Sequence, residues 1–173
     1  MIPLSRPSDP AVVAAVAGSG GVSAIVDLWS RRVPNPLTLG VAALGLTLAV
    51  LRLSGLSPMA AAAGMGVGLL LMLPGHVIGA TGAGDVKLLA ALGTMLGPRG
   101  VVVAFVYAAL AGGILALIVA KRRRILRETV ERTKTLVQTG GRNAAEIEQG
   151  TIDNRFAYAP AIAIGAVVAA LGW

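Results

Sequence analysis

Two acidic residues stand in stretches that are otherwise almost pure hydrocarbon: Asp27 in "SAIVDLWSRRVPNPLTL" and Asp85 in "TGAGDVKLLAALG". A carboxylate near the hydrocarbon core of a bilayer costs a few kcal/mol on insertion scales, so each is a functional-site hypothesis. Two carboxylates brought together cannot both ionise cheaply; one keeps a proton and the other does not. The ionised partner takes a proton from a bound water. The protonated partner polarises a carbonyl and later protonates the leaving amine. That chemistry hydrolyses a peptide bond without a thiol, a metal or a histidine. The chain has no cysteine and a single histidine, His76. Disulfides, thiolate nucleophiles and cysteine-based zinc sites are thereby excluded, and no metal or cofactor is expected. Gly82 and Gly84 let the backbone bend and approach a substrate closely just before Asp85.

The elements that position these residues are membrane helices. The chain has 173 residues, 55% of them hydrophobic and only 13% charged, against roughly a quarter charged in a soluble domain. A helix needs about 20 apolar residues to cross the hydrocarbon core. The pattern predicts an all-α polytopic membrane bundle of about six helices, near residues 11–29, 37–53, 59–80, 86–96, 101–120 and 156–173. Residues 1–173 are read as one membrane-embedded domain, with a basic loop at about 121–155. The fourth helix, only about 17 Å long at 1.5 Å per residue, either starts inside the membrane or runs past those limits.

The charge distribution sets the expected topology. Arg31 and Arg32 follow the first helix, Lys87 follows the third, and the loop after the fifth holds nine basic residues. These twelve share one side of a six-helix chain; Arg6, Arg52 and Arg99 fall on the other. The positive-inside rule puts the basic side in the cytoplasm and the N-terminus outside. The net charge of +7 is therefore mainly a topology signal, with binding to anionic lipid headgroups a secondary option. Aromatics make up 3% of the chain, too few for a base-stacking platform, so no nucleic-acid partner is expected. On this topology Asp27 and Asp85 lie at one depth, at the cytoplasmic ends of their helices. Singly, each has a plain structural reading: Asp27 paired with Arg31 one turn along, Asp85 paired with Lys87 or capping its helix. As a pair at equal depth they favour function. Gly64 and Gly68, and Gly75 and Gly79, have the spacing of close helix contacts, read here as packing within the chain. His76 is read as a polar residue bonded to a neighbouring helix, and Pro74 as a kink in the third helix.

"GAGDVKLLAALG" resembles the Gly-x-Gly-Asp motif of the prepilin peptidases, the GxGD-type membrane aspartyl proteases. "DLWSRRVPNPLTL" is similar to that family's first aspartate segment, and "FAYAPAIAIG" to its closing helix, all in family order. The resemblance implies that Asp27 and Asp85 are the catalytic pair. Gly82, Gly84, Lys87, Pro34 and Asn35 match supporting motif positions. It implies cleavage of the short basic leader of a prepilin at the cytoplasmic edge of the inner membrane. The partners implied are a prepilin, the lipid bilayer and the pilus or secretion machinery. The chain resembles the small form associated with tight-adherence (Flp-type) pili, without a cysteine-bearing N-terminal domain, so no methyltransferase activity is expected. Ala157 stands where the family commonly has proline. Two alternatives belong to other classes: a small ion- or proton-coupled transporter, with acids near mid-depth, and a non-catalytic secretion scaffold, indifferent to either aspartate.

Overall fold

A computed structural model describes residues 9–30, 33–79, 81–122 and 158–172. Its elements are α1 (Pro10–Ser30), α2 (Asn35–Val50), α3 (Pro58–Val77), α4 (Ala83–Arg122) and α5 (Ala159–Ala170). The expected all-helical membrane bundle is what the chain forms. Among the described residues three helices are long and apolar enough to cross a membrane: α1, α3 and the Ala83–Ile118 part of α4; α2 and α5 are shorter apolar helices. Arg31, Arg32, Ala157 and most of the basic loop lie outside the described residues.

The fourth and fifth expected helices are joined without a loop. α4 runs from Ala83 to Arg122 and breaks at Gly97, whose φ of 70° and ψ of 178° belong to a region open essentially to glycine alone. Pro98 then starts the second arm, where its missing N–H costs nothing. A straight helix would put Asp85 and Ala108 about 35 Å apart. Tyr158 nevertheless bonds Ala108, and the next residue, Ala159, bonds Asp27 near the end of α1, which the start of α4 adjoins through Val33 and Gly84. The second arm therefore folds back alongside the first.

Between lipid-embedded helices there is no hydrophobic drive to associate, so close contact of small residues must do the work. Glycines line the four largest seams. Gly64 of α3 meets Gly93 so closely that a Cβ on either would overlap the other's backbone, and Gly68 sits against Ala90. Gly45 of α2 faces Thr94 and Met95; Gly165 of α5 faces Ala104 and Ala108; Gly20 of α1 faces Ala163. The Gly64/Gly68 pair thus packs within the chain, as its spacing suggests. Gly75 instead faces Thr81, and Gly79, with φ 76°, turns the chain after α3.

The first arm of α4 is the central strut. Leu88, Leu89, Leu92 and Met95 are its largest fully buried side chains, and α4 as a whole packs against α2, α3 and α5. Buried hydroxyls are satisfied locally, as lipid requires: Ser23 donates to the Ser19 carbonyl at 2.7 Å and Thr94 to the Ala91 carbonyl at 2.6 Å.

Candidate active site

Asp27 lies one turn from the end of α1, on the buried stripe Val12, Val16, Gly20, Ser23 that packs towards α5. Its steps of three and four keep it on the inward face of the helix, and the residue is only 5% exposed. One carboxylate oxygen, Oδ2, accepts the backbone N–H of Ala159 at 3.2 Å, a bond across 132 residues of sequence. Ala159 is the first residue of α5, whose N–H has no partner within the helix. Helix α5 thus lends Asp27 an orphan donor.

Asp85 arrives by a different route. Helix α4 starts at Ala83, earlier than the pattern suggested, so Asp85 sits inside the first turn rather than at the cap. The Gly82 carbonyl accepts the N–H groups of Asp85 at 3.1 Å and Val86 at 3.3 Å. A carboxylate in the first helical turn also meets the favourable end of the helix dipole. Gly82 is close enough that a Cβ there would lie 3.1 Å from Asp85 Oδ2. Asp85 is half-buried, on the rim of the cluster.

The turn that carries Asp85 packs against the α1–α2 connection that follows Asp27. The motif residues around them are tied together across sequence. Gly84 abuts Val33: an added Cβ would lie 3.3 Å from the Val33 Cβ. Lys87 donates to Asn35 Oδ1 at 2.9 Å, so its amine bonds the other motif rather than pairing with Asp85. Pro34 caps α2 in extended conformation, and its carbonyl accepts the N–H groups of Leu37 and Thr38. Each of Asp27, Asp85, Gly82, Gly84, Lys87, Pro34 and Asn35 is therefore found at one end of the bundle. At the opposite end, Gly97 touches Leu56 of the α2–α3 connection.

Tyr158 was not among the residues singled out. Its ring lies against Gly112, where only glycine leaves room, and its hydroxyl donates to the Ala108 carbonyl at 3.1 Å. This anchors the start of α5, and with it the Ala159 N–H, against the second arm of α4. The signal was present: Tyr158 is part of "FAYAPAIAIG", and its neighbour is the donor to Asp27. His76 does not bond a neighbouring helix; its Nδ1 lies 3.0 Å from the Thr81 carbonyl in the α3–α4 connection. Helix α3 continues through Pro74 to Val77. Among the described residues no three histidine or acidic side chains gather to hold a metal ion.

A helical membrane bundle that gathers two acids from separate helices at one end defines a protein with a candidate carboxylate-pair site. The chain belongs to the type IV leader peptidase family, whose model matches residues 14–117, more than half of its length. That match makes the chain a peptidase of the membrane, and its span includes both aspartates and the Lys87–Asn35 link. No curated protein and no solved structure matches the chain.

Proposed function

We propose that the protein is an aspartic endopeptidase that removes the short leader of Flp-like type IV prepilins, with Asp27 and Asp85 as its catalytic pair. The observation that carries this reading is that two acids from α1 and α4, 58 positions apart in sequence (85 − 27), stand at the same end of the bundle, where Gly84 abuts Val33 and Lys87 bonds Asn35, inside a leader-peptidase chain. One carboxylate, ionised, takes a proton from a water as its oxygen bonds to the scissile carbonyl carbon. The other, protonated, donates to the carbonyl oxygen. The tetrahedral adduct then collapses, the C–N bond breaks, and the departing amine takes up a proton from the pair. The products are a leader with a free carboxylate and a mature protein with a new amino terminus.

The reading extends to orientation. Lys87 lies at the site end of the bundle, while Arg52 and Arg99 flank the connections at the other end. Taken with the charge distribution of the sequence, the positive-inside rule directs the site to the cytoplasm of a bacterial inner membrane.

The test is co-expression of a Flp-type prepilin with wild-type protein, Asp27→Asn or Asp85→Asn, followed by gel shift. Cleavage with wild type and its loss in both variants, at equal membrane levels, is expected. Full cleavage by either variant would sink the two-aspartate mechanism.

A further inference from the structure

The six residues that lead into Asp85, from Gly79 to Gly84, include three glycines. Glycine leaves the backbone many conformations and loses more freedom on folding than other residues do. An acid that follows such a segment keeps one position only if the segment is held from outside. The end of α3 supplies that hold, and its contacts converge on Thr81. The Thr81 N–H donates to the Gly75 carbonyl at 3.2 Å, and its hydroxyl approaches the Met72 carbonyl more loosely, at 3.5 Å. Gly75 leaves the room for this: a Cβ there would lie 3.1 Å from Thr81 Cγ2. The third contact is the side chain of His76, whose Nδ1 lies 3.0 Å from the Thr81 carbonyl.

We propose that His76 is a positioning residue for Asp85; the proposal rests on the peptidase reading above. A carbonyl oxygen only accepts, so the imidazole carries a proton on Nδ1 and donates it. The bonded carbonyl belongs to the peptide unit that joins Thr81 to Gly82. That unit is planar, so holding its oxygen fixes the plane from which Gly82 departs. Gly82 then starts α4, its own carbonyl accepting the N–H groups of Asp85 and Val86. The path from the imidazole to the carboxylate is thus short and runs through one glycine. Histidines near a helix end commonly cap the last carbonyls of their own helix. His76 has no such task here, because backbone groups meet those carbonyls: Pro74 accepts the N–H of Ile78 at 3.2 Å, and His76 accepts that of Gly79 at 3.0 Å. Nor does the ring fill the core, since His76 is exposed. What it contributes is one directed bond to the segment that delivers Asp85.

The test uses the full chain in membranes with a Flp-type prepilin. His76→Phe keeps the ring and loses the donor. His76→Asn keeps a donor about where Nδ1 stands. Both have nearly the helix propensity of histidine, so both variants fold. His76→Phe is expected to lower kcat about tenfold with KM unchanged, because a displaced reacting group slows the chemistry and leaves substrate binding intact. His76→Asn is expected to restore most of that loss, and both variants to melt with the wild type in detergent. A second readout needs no substrate. The chain has one histidine, so nitrogen NMR of the labelled protein reads this ring alone, and its neutral form is expected to carry the proton on Nδ1. Cleavage by His76→Phe at the wild-type kcat overturns the proposal, as does a neutral ring protonated on Nε2. A loss that His76→Asn does not restore, or one that comes with a lower melting temperature, makes His76 a residue of the fold and overturns it equally. If wild-type protein cleaves no prepilin, the proposed function fails and this role with it, whereas normal wild-type cleavage with an indifferent His76→Phe removes this role alone.

Discussion

Asp27 and Asp85 have the same side chain and are held by opposite means. Asp85 is positioned by its own neighbourhood: the Gly82 carbonyl starts its helix, and Gly82 leaves space beside its carboxylate. Asp27 is positioned from the far end of the chain, by the Ala159 N–H, which depends in turn on Tyr158 seated against Gly112. One acid sits on a local turn and the other in a socket that three helices build. The contrast suggests a division of labour: a short motif fixes one half of the site, and packing of the last helix completes it. Local changes should therefore act on Asp85, and distant ones on Asp27.

The largest effect expected is that of removing either acid. Asp27→Asn and Asp85→Asn should each lower the cleavage rate by about 10²–10⁴-fold, the range for losing a positioned acid or base. An asymmetric outcome would break the pairing of the two. Next comes Tyr158→Ala. It leaves a cavity against Gly112 and costs about 3–5 kcal/mol of stability by analogy with aromatic truncations in other cores. Thermal unfolding in detergent should show this loss. Tyr158→Phe, losing only the bond to Ala108, should cost about 1 kcal/mol and keep most of the activity. If Tyr158→Ala were fully active and stable, the socket account of Asp27 would be wrong.

Smaller still is Gly82→Ala, which brings a methyl within 3.1 Å of Asp85 Oδ2. Displacing a reacting group by a few tenths of an ångström should lower kcat about tenfold with little change in melting temperature. The smallest expected effect is Lys87→Met. Its bond to Asn35 is exposed, so its loss should cost about 1 kcal/mol or less and reduce cleavage severalfold. A drop as deep as that of Asp85→Asn would place Lys87 in the chemistry rather than in the scaffold.

Much of this arrangement is legible in the residues alone. The hydrophobic runs specify helices because a bilayer leaves the backbone no other way to satisfy its N–H and C=O groups. The two acids stand out because each is expensive where it is, and the motif glycines because a tight turn needs them. The break at Gly97 escaped the pattern: a single residue of φ 70° replaces the loop that two separate helices seemed to need, and periodicity does not register one dihedral angle. His76 was assigned a helix partner and bonds a connecting segment instead, because hydrogen-bond partners depend on where the turn places carbonyls.

The sequence by itself determined the membrane class, the all-helical make-up and which two acids stand out, since these follow from hydrophobicity, length and the cost of burying charge. Only the tertiary structure decided that α4 doubles back and that the N–H which Asp27 accepts comes from Ala159. It also decided that Lys87 reaches Asn35 rather than Asp85. The reason is physical: in lipid every helix is apolar on all sides, so hydrophobicity does not choose which faces meet, and the choice falls to where glycines let backbones touch.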